Sequence, residues 1–342
     1  MLTAALLAFA LQTQTIATKT QTIKVFVVSY FPVVADQIDR TVAGDEAYNA
    51  CGGSYAKLKE KTERLTKEAC EALERGSRFR GYKLSSKPAL RYQVVGQMEV
   101  KEGIPIRPKV GNETPLLDYN AVMRRIDAKT WVEKKGVQQI WLWGYHGPNG
   151  LWESNMSSPT TGDVSNSDRD PTDLPLYKKT YTLFHYNYGR ALGEMLENHM
   201  HQLEHLLNWA DGRDRTPPEK WGDLLFWGKF VGSDASHKIV TNPARCGWTH
   251  YAPNSESDYD WANPRYVETD IEDWKPDGIG KTQRMNADRW DRDPIKWRIY
   301  WMQAIPGLDN GLTYHGKKLR NWWAFVADWD RAMTEKWTLV MP

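Results

Sequence analysis

The chain has 342 residues, of which 41% are hydrophobic and 26% are charged, and its formal net charge is +2. These values are typical of a folded globular protein and exclude an intrinsically disordered chain. Acidic and basic residues are well mixed, and the densest charged stretch, 57–67, alternates Lys and Glu as a solvated helix face does. Because a basic stripe is missing, we expect no nucleic-acid partner.

Residues 1–22 have the pattern of a secretion signal followed by a flexible mature terminus. The first ten residues are small and apolar, Ala8-Phe9-Ala10 matches an A-x-A cleavage site, and a run rich in Gln and Thr follows, although the usual positive charge at the start is missing. The apolar stretch is too short to span a membrane, and no later segment approaches about 18 apolar residues. The sequence therefore predicts an extracellular protein without a membrane span, in which residues 23–342 form a single catalytic or binding domain.

Tryptophan and tyrosine are unusually frequent, with 17 and 16 residues against 8 phenylalanines. Both side chains combine an apolar face with a polar group. Such residues either stack on sugar rings and peptides or fill a large core, and the sequence leaves both interpretations open.

The first part of the chain alternates strands and helices. The run 23–31 is rich in β-branched and aromatic residues and ends at a proline, which predicts a buried strand. Ser54 is a good N-cap for a helix over 54–75, and Gly76 is a good stop. A second strand is predicted over 90–100.

A helix capped by Asp118 and running to about Lys135 leads directly into an apolar strand, 137–143. This unit is typical of the second half of a βαβ crossover. Ligands of open α/β sheets bind beyond the carboxyl ends of such strands. His146, Glu153 and Asn155, which follow this strand, are therefore candidate site residues.

The rest of the chain is predicted to contain, in order, a tyrosine-rich strand (177–188), a helix with three histidines (190–209), a helix starting at 216, a long functional loop (246–293), a strand (297–305) and a last helix (318–334). The alternation favours an α/β or α+β fold with one mixed sheet, flanking helices and long functional loops.

The segment 194–205, EMLENHMHQLEH, is the densest group of possible metal ligands in the chain. On a helix, residues four apart share a face, so Glu197, His201 and His205 form one column. Its last five residues resemble the H-x-x-E-H motif of inverted zinc peptidases. That resemblance covers five residues and implies that His201 and His205 bind zinc while Glu204 acts as general base.

A catalytic zinc needs a third protein ligand and an open position for water. The sequence offers four candidates for that ligand, namely Glu197, His146, His250 and Asp260. His199 lies about 160° from His201 around the helix, so we expect it to belong to a second site or to face solvent.

Carbohydrate chemistry is a second hypothesis, because glycosidases use two carboxylates on either side of the scissile bond. Glu153 would be one of them and Glu204 or Asp260 the other. Four aromatic residues would stack on the sugar rings, namely Trp143, Trp152, Tyr259 and Trp261. A third hypothesis is a secreted glycan-binding protein without catalysis, in which the histidine helix is structural.

The loop Asp163–Asp173 offers closely spaced oxygen ligands for calcium from Asp163, Ser165, Ser167 and Asp170. It lacks the central glycine and distal glutamate of an EF-hand. The alternative is a solvated loop shaped by Asx and ST turns.

The three cysteines suggest two further hypotheses. Cys51 and Cys70 could form a disulfide between a loop and the following helix. Cys246 could be a nucleophile assisted by His250, four residues later.

The leading hypothesis is a secreted, metal-dependent hydrolase, with zinc as the metal and a peptide or glycan polymer as the substrate. His201 and His205 would hold the metal, and Glu204 would be the general base.

Overall fold

The computed structural model describes residues 19–108, 115–146 and 150–342. The secretion signal predicted within residues 1–22 lies almost entirely outside these residues, and the domain boundary proposed at residue 23 stays a prediction. In the described part of the chain, no helix is both long enough and apolar enough to cross a membrane.

The elements up to residue 211 are, in chain order, β1 (Gln21–Tyr30), β2 (Val33–Val34), β3 (Gln37–Ile38), α1 (Arg40–Asn49), α2 (Tyr55–Gly76), β4 (Leu90–Val100), α3 (Tyr119–Arg125), a π-helix (Thr130–Lys134), β5 (Gln139–Gly144), β6 (Ser154–Ser157), β7 (Tyr181–Asn187) and α4 (Leu192–Asp211).

The later elements are 3-10 helices at Arg213–Arg215 and Pro218–Asp223, a π-helix (Leu225–Val231), β8 (Val267–Thr269), a 3-10 helix (Ile271–Asp273), β9 (Gln283–Met285), a 3-10 helix (Ala287–Trp290), α5 (Pro294–Ala304), β10 (Thr313–Tyr314), β11 (Lys317–Lys318), α6 (Ala324–Ala327) and α7 (Trp329–Thr334).

The central sheet has five strands in the order β4-β1-β5-β7-β6. Strand β5 is parallel to β1 and to β7, whereas β6 runs antiparallel to β7. Every residue of β5 and β7 is buried, as expected for parallel strands that are covered on both faces. This mixed sheet with its helices confirms the predicted α/β or α+β fold class. It also brings the carboxyl ends of β5 and β7 to one edge.

The chain divides into two compact units. The sheet unit contains residues 23–71 and 92–202. The tryptophan unit contains residues 72–91 and 203–342. Helix α4 is continuous and carries residues of both units, since the division falls between residues 202 and 203.

The core of the sheet unit uses large aromatic side chains of the central strands. Trp141 and Trp143 are both fully buried. The indole Nε1 of Trp143 donates a hydrogen bond to Thr66 Oγ1 at 3.0 Å. The prediction that Trp143 stacks on a sugar is therefore wrong, because this side chain is a satisfied core residue.

The tryptophan unit also uses indoles as core residues. Its fully buried tryptophans are Trp227, Trp274, Trp297, Trp301 and Trp322. Four of them make edge-to-face contacts, as in the contact between Phe230 and Trp322, whose ring centroids are 5.5 Å apart, whereas the ring contacts of Trp297 are tilted. For these residues, the high tryptophan content is explained by core packing.

The strand predicted over 297–305 is wrong, because this segment is helix α5. The carboxylate of Asp293 accepts a hydrogen bond from Lys296 N at 2.8 Å, and Pro294 occupies the first turn. The residues from Trp297 to Ala304 are all buried. A helix that is buried on every side has no amphipathic period, which is why its apolar run resembled a strand.

Three predicted helices are shorter or more irregular than expected. The helix over 118–135 is interrupted near Asp127, whose φ is 49°, and continues as a π-helix. The helix from residue 216 is a 3-10 helix followed by a π-helix. The segment 318–334 contains two short helices, the second of which is capped by the carboxylate of Asp328.

All three cysteines are free thiols. The Cys51–Cys70 disulfide is therefore not formed. Burial raises the pKa of the Cys246 thiol well above its usual range. A buried thiol that stays protonated is a poor nucleophile, so the hypothesis of a catalytic Cys246 is wrong.

Candidate functional site

Helix α4, the histidine helix, is attached to the sheet by side-chain amides. Asn198 Nδ2 donates to the backbone oxygens of His185 and Glu153, at 3.1 and 3.3 Å. Gln202, one turn later, donates to the backbone oxygen of Val164 at 2.9 Å. These bonds fix the rotation of the helix and decide which histidine faces which surroundings.

His199 lies on the core side of the histidine helix. Its ring stacks on Phe184 at a centroid distance of 3.9 Å, and its Nε2 is 2.8 Å from the Tyr186 hydroxyl. Burial lowers its pKa to about 3, so the ring is neutral. The prediction that His199 belongs to a second site or faces solvent is wrong, because the ring is part of the aromatic core.

The metal group consists of Glu197, His201 and His250, each of which offers one ligand atom. These three atoms all lie within 4.8 Å of one another. His201 Nε2 is 3.9 Å from Glu197 Oε1. Ligands of a tetrahedral zinc at bond lengths near 2.1 Å are roughly 3.4 Å apart, so small side-chain movements would close this set around an ion.

His250 is held in place by its own loop in the tryptophan unit. The preceding amide, Thr249 N, donates a hydrogen bond to Glu204 Oε1 at 2.7 Å. The imidazole lies between Trp248 and Tyr259, with ring centroids at 4.8 and 4.1 Å. Glu204 and Thr249 both lie in the tryptophan unit, so this hydrogen bond fixes the loop that carries His250 within that unit.

The histidine pair of the H-x-x-E-H motif is not the pair that the structure brings together. His205 is half-buried and lies outside the metal group. Each step of four residues turns about 40° around a helix, so Glu197 and His205 are about 80° apart. His250 groups with Glu197 and His201, at one end of that column.

Polar side chains that influence one another electrostatically lie near the ends of β5 and β7. This strand-end cluster contains His146, Glu153, His185, Asn187 and Glu194. His146 is half-buried, and burial lowers its pKa below the usual value. His185 is almost fully buried, its Nδ1 is 3.2 Å from the Tyr119 hydroxyl, and burial lowers its pKa to about 3.

The two predicted site residues that follow β5, Glu153 and Asn155, have different roles. The carboxylate of Glu153 accepts a hydrogen bond from Asn166 Nδ2 at 3.1 Å, and its side chain is half-buried. Asn155 is buried in β6 and donates to the carboxylate of Asp173 at 3.2 Å. Glu153 therefore belongs to the cluster, while Asn155 holds the loop that contains Asp173.

Glu194 is the functional candidate that the sequence reasoning missed. It lies in the first turn of the histidine helix, directly after β7. Burial raises the pKa of this carboxyl to about 8, and the nearby Glu153 and Glu46 act in the same direction. The sequence could have identified it, because Glu194 is an acidic residue in the first turn of a helix that follows a parallel strand.

The predicted aromatic residues near residue 260 adjoin the metal group. Tyr259 is 49% exposed and contacts both His250 and Trp261, the latter at a centroid distance of 5.4 Å. Asp260 instead shapes its own loop, since its Oδ2 accepts hydrogen bonds from Glu256 N and Asn263 Nδ2. Tyr259 and Trp261 thus keep the stacking role as a prediction, whereas Asp260 has a structural one.

In the acidic loop 163–173, carboxylate oxygens accept hydrogen bonds from nearby groups of the protein. Asp163 accepts hydrogen bonds from Met156 N and the Ser167 hydroxyl. Asp170 accepts from Thr172 N. These contacts are those of a loop shaped by Asx turns and give no support to the calcium hypothesis.

None of the protein-family models compared with this chain matches it, and a search of curated proteins gives no significant match. Its function must therefore be inferred from the geometry of its own residues.

Proposed function

We propose that this protein is a metal-dependent hydrolase in which Glu197, His201 and His250 bind a divalent cation, with zinc as the best fit. The single observation that carries the proposal is the approach of their three ligand atoms to within 4.8 Å. Two imidazoles and one carboxylate are the donor set of many catalytic zinc sites, in which the fourth position is left for water.

The metal would lower the pKa of its bound water and supply a hydroxide nucleophile near neutral pH. The protein residues would hold and orient that ion. Asp258 Oδ1 is 3.8 Å from His250 Nδ1, so a small movement would be needed before this carboxylate could hydrogen-bond to the imidazole and orient it.

Glu204 has a positioning role in this proposal. Its Oε1 already accepts the hydrogen bond from Thr249 N, next to the ligand His250. This contact differs from the general-base role implied by the H-x-x-E-H motif, and substitution separates the two roles.

A peptide or glycan polymer outside the cell is the proposed substrate. The exposed ring of Tyr259, beside His250 and Trp261, supports this choice because aromatic rings stack on sugars and on apolar side chains. Secretion rests on the sequence pattern of residues 1–22.

The proposal is tested by the metal content of the purified protein, measured by inductively coupled plasma mass spectrometry after equilibration with zinc. We expect about one zinc per chain in the wild type. His201→Ala and His250→Ala should lose it.

His205→Ala is the matched control, since it removes a histidine of the same helix that lies outside the metal group. It should keep the zinc. Retention of zinc by His201→Ala, or absence of zinc from the wild type, would contradict the proposal and leave the two-carboxylate glycosidase and the glycan-binding protein as the remaining hypotheses.

A further inference from the structure

We propose that the sheet unit contains a second binding site, which takes a single sugar ring. The site is a pocket of about 180 Å³ that is lined by residues of helix α2 and of strands β1, β4 and β5. All of these residues belong to the sheet unit, and none of them is a member of the metal group. The inference therefore goes beyond the proposed hydrolase and does not depend on its metal.

Strand β1 changes from apolar to polar where it reaches the pocket. Alternate residues of a strand share a face, and on one face of β1 the residues Ile23, Val25 and Val27 are buried. Ser29 is the next residue of that face and is half-buried. In the parallel register it is the partner of Trp143, which also lines the pocket. Because serine is smaller than the valines before it, the strand leaves space here and places a hydroxyl beside it.

Helix α2 makes the same change at the same pocket. Leu58 and Leu65 are fully buried residues of this helix. Thr62 and Thr66 are four residues apart and share a face, and they are only 3% and 5% exposed although both line the pocket. Two elements whose other core residues are apolar therefore bring three hydroxyl groups to one pocket.

These hydroxyls keep hydrogen-bonding capacity for a ligand. Thr62 Oγ1 donates to the backbone oxygen of Lys59 at 2.9 Å, and Thr66 Oγ1 donates to that of Thr62 at 2.7 Å. Thr66 Oγ1 also accepts the indole hydrogen bond of Trp143. Both threonine protons are thus used, whereas acceptor lone pairs remain on each oxygen. The Ser29 hydroxyl makes no hydrogen bond with any residue that the structure describes, so it offers a donor and acceptors.

The charged groups that line the pocket disfavour an anion. Lys59 Nζ is 2.9 Å from Glu99 Oε2, so these two charges balance each other. Glu99 also accepts a hydrogen bond from the Tyr55 hydroxyl. Glu63 is exposed and forms no ion pair within the described part of the chain, so its carboxylate is available to a ligand. One cation against two carboxylates leaves the lining with an excess of negative charge.

The polar groups of the pocket fit a neutral ligand with several hydroxyls. Ser29 and the side-chain amide of Gln97 both donate and accept, the two threonine oxygens accept, and the carboxylate of Glu63 accepts only. Each hydroxyl of a sugar has one donor and two acceptor lone pairs, so it can satisfy groups of every kind in this lining. An organic cation would use Glu63 but leave the donors of Ser29 and Gln97 without acceptors.

The size and the apolar part of the lining also fit one sugar ring. A volume of about 180 Å³ is below the roughly 300–1,000 Å³ that is usual for sites of drug-sized ligands, so the ligand is small. Val27, Phe31 and Met98 contribute apolar groups that can contact the C–H groups of the ring. The ring is either a free monosaccharide or the end of a glycan chain whose other rings stay outside the pocket.

The test measures sugar binding to the full chain by saturation-transfer difference NMR. The probes are D-glucose, N-acetyl-D-glucosamine and their β-1,4-linked disaccharides, cellobiose and chitobiose. We expect saturable binding of at least one probe with a Kd in the millimolar range, because a ligand of this size makes few contacts. Binding of a monosaccharide together with its disaccharide would identify the end of a glycan chain as the ligand, whereas binding of the monosaccharide alone would identify a free sugar.

Two variants locate the bound sugar. Ser29→Val replaces the hydroxyl by methyl groups that narrow the pocket, and it should weaken binding at least tenfold. Glu63→Gln changes an exposed residue that is not needed for folding, and it should weaken binding about fivefold. Glu60→Gln is the matched control, since Glu60 is an exposed carboxylate of the same helix that does not line the pocket. Thermal denaturation verifies that each variant is folded.

The inference would be overturned if the wild type bound none of the four sugars, or if Ser29→Val and Glu63→Gln both bound them as the wild type does. Stronger binding of tetramethylammonium or phosphate than of any sugar, lost in Glu63→Gln, would also overturn it, because the pocket would then select charge. His201→Ala separates this site from the proposed function. It should bind sugars normally, and loss of sugar binding in this variant would place the sugar at the metal group instead.

Discussion

His199 and His201 are two residues apart on one helix and have the same exposed fraction, 7%, yet they differ in every contact that matters for function. His199 is surrounded by Phe184, Trp141 and Tyr186. His201 lies beside Glu197 and within the metal group. The comparison teaches that burial alone does not separate a structural histidine from a ligand. The neighbouring groups determine the role of a buried histidine. Aromatic rings favour the neutral imidazole of a core residue, whereas a nearby carboxylate completes a set of metal ligands.

The largest expected effect is a loss of folding stability at acid pH, caused by the buried structural histidines. His185 and His199 both have pKa values lowered to about 3, against an ordinary value of 6.5. Below pH 6.5 the unfolded chain binds protons that the folded protein does not, so stability is lost as the pH falls from 6.5 towards 3. We expect a loss on the order of 5 kcal/mol between pH 7 and pH 4, measured by urea denaturation.

His199→Phe sharpens this result, because it removes one titrating ring but keeps an aromatic side chain. Its loss of stability over the same pH range should be smaller than that of the wild type. An equal loss would show that His199 is already charged or exposed in the folded protein.

The next effect is the cost of removing the core ring. His199→Ala loses the stacking on Phe184 and leaves the Tyr186 hydroxyl without its partner. We expect the free energy of unfolding to fall by about 3 kcal/mol while the zinc content stays at one per chain. Loss of zinc from a protein that is still folded would break the comparison, since it would place His199 in the metal site.

For Glu194 we expect a loss of stability at alkaline pH, whereas the buried histidines lose stability at acid pH. Its pKa is raised from 4.5 to about 8 in the folded protein, so the stability that its acid form provides is lost as the pH rises through this range. Glu194→Gln should therefore be more stable than the wild type at pH 9, by about 2 kcal/mol, and nearly equal at pH 4. Thermal denaturation at both pH values measures this, and an equal difference at both would exclude a buried acid.

The smallest effect concerns the hydrogen bond that holds the His250 loop. Glu204→Ala removes the acceptor for Thr249 N and should weaken zinc binding about tenfold, as seen when groups behind metal ligands are removed. Glu204→Gln keeps an acceptor oxygen and should restore both binding and activity. If Glu204→Gln binds zinc normally but is inactive, Glu204 is the general base that the motif implied.

Local patterns explain what the sequence could predict of this site. The four-residue spacing of Glu197 and His201 fixes their common face as soon as a helix forms, and the carboxyl ends of parallel strands place His146 and Glu153 at one edge. His250 was one of four candidates for the third ligand. Its selection depends on the long-range hydrogen bond between Thr249 and Glu204, which no local pattern contains.

The errors have the same physical origin. The raised pKa of Glu194 comes mainly from burial, with a contribution from Glu153, 41 positions earlier, so it is a product of tertiary structure. Helix α5 and Trp143 were misinterpreted because a fully buried segment has no amphipathic period and a core indole has the same composition as an exposed one.

The most direct test of the central claim is an anomalous difference map at the zinc edge from crystals of the zinc-loaded protein. The account predicts one peak about 2.0–2.3 Å from Glu197, His201 and His250. A peak bound by His205, or no peak near His201, would contradict it.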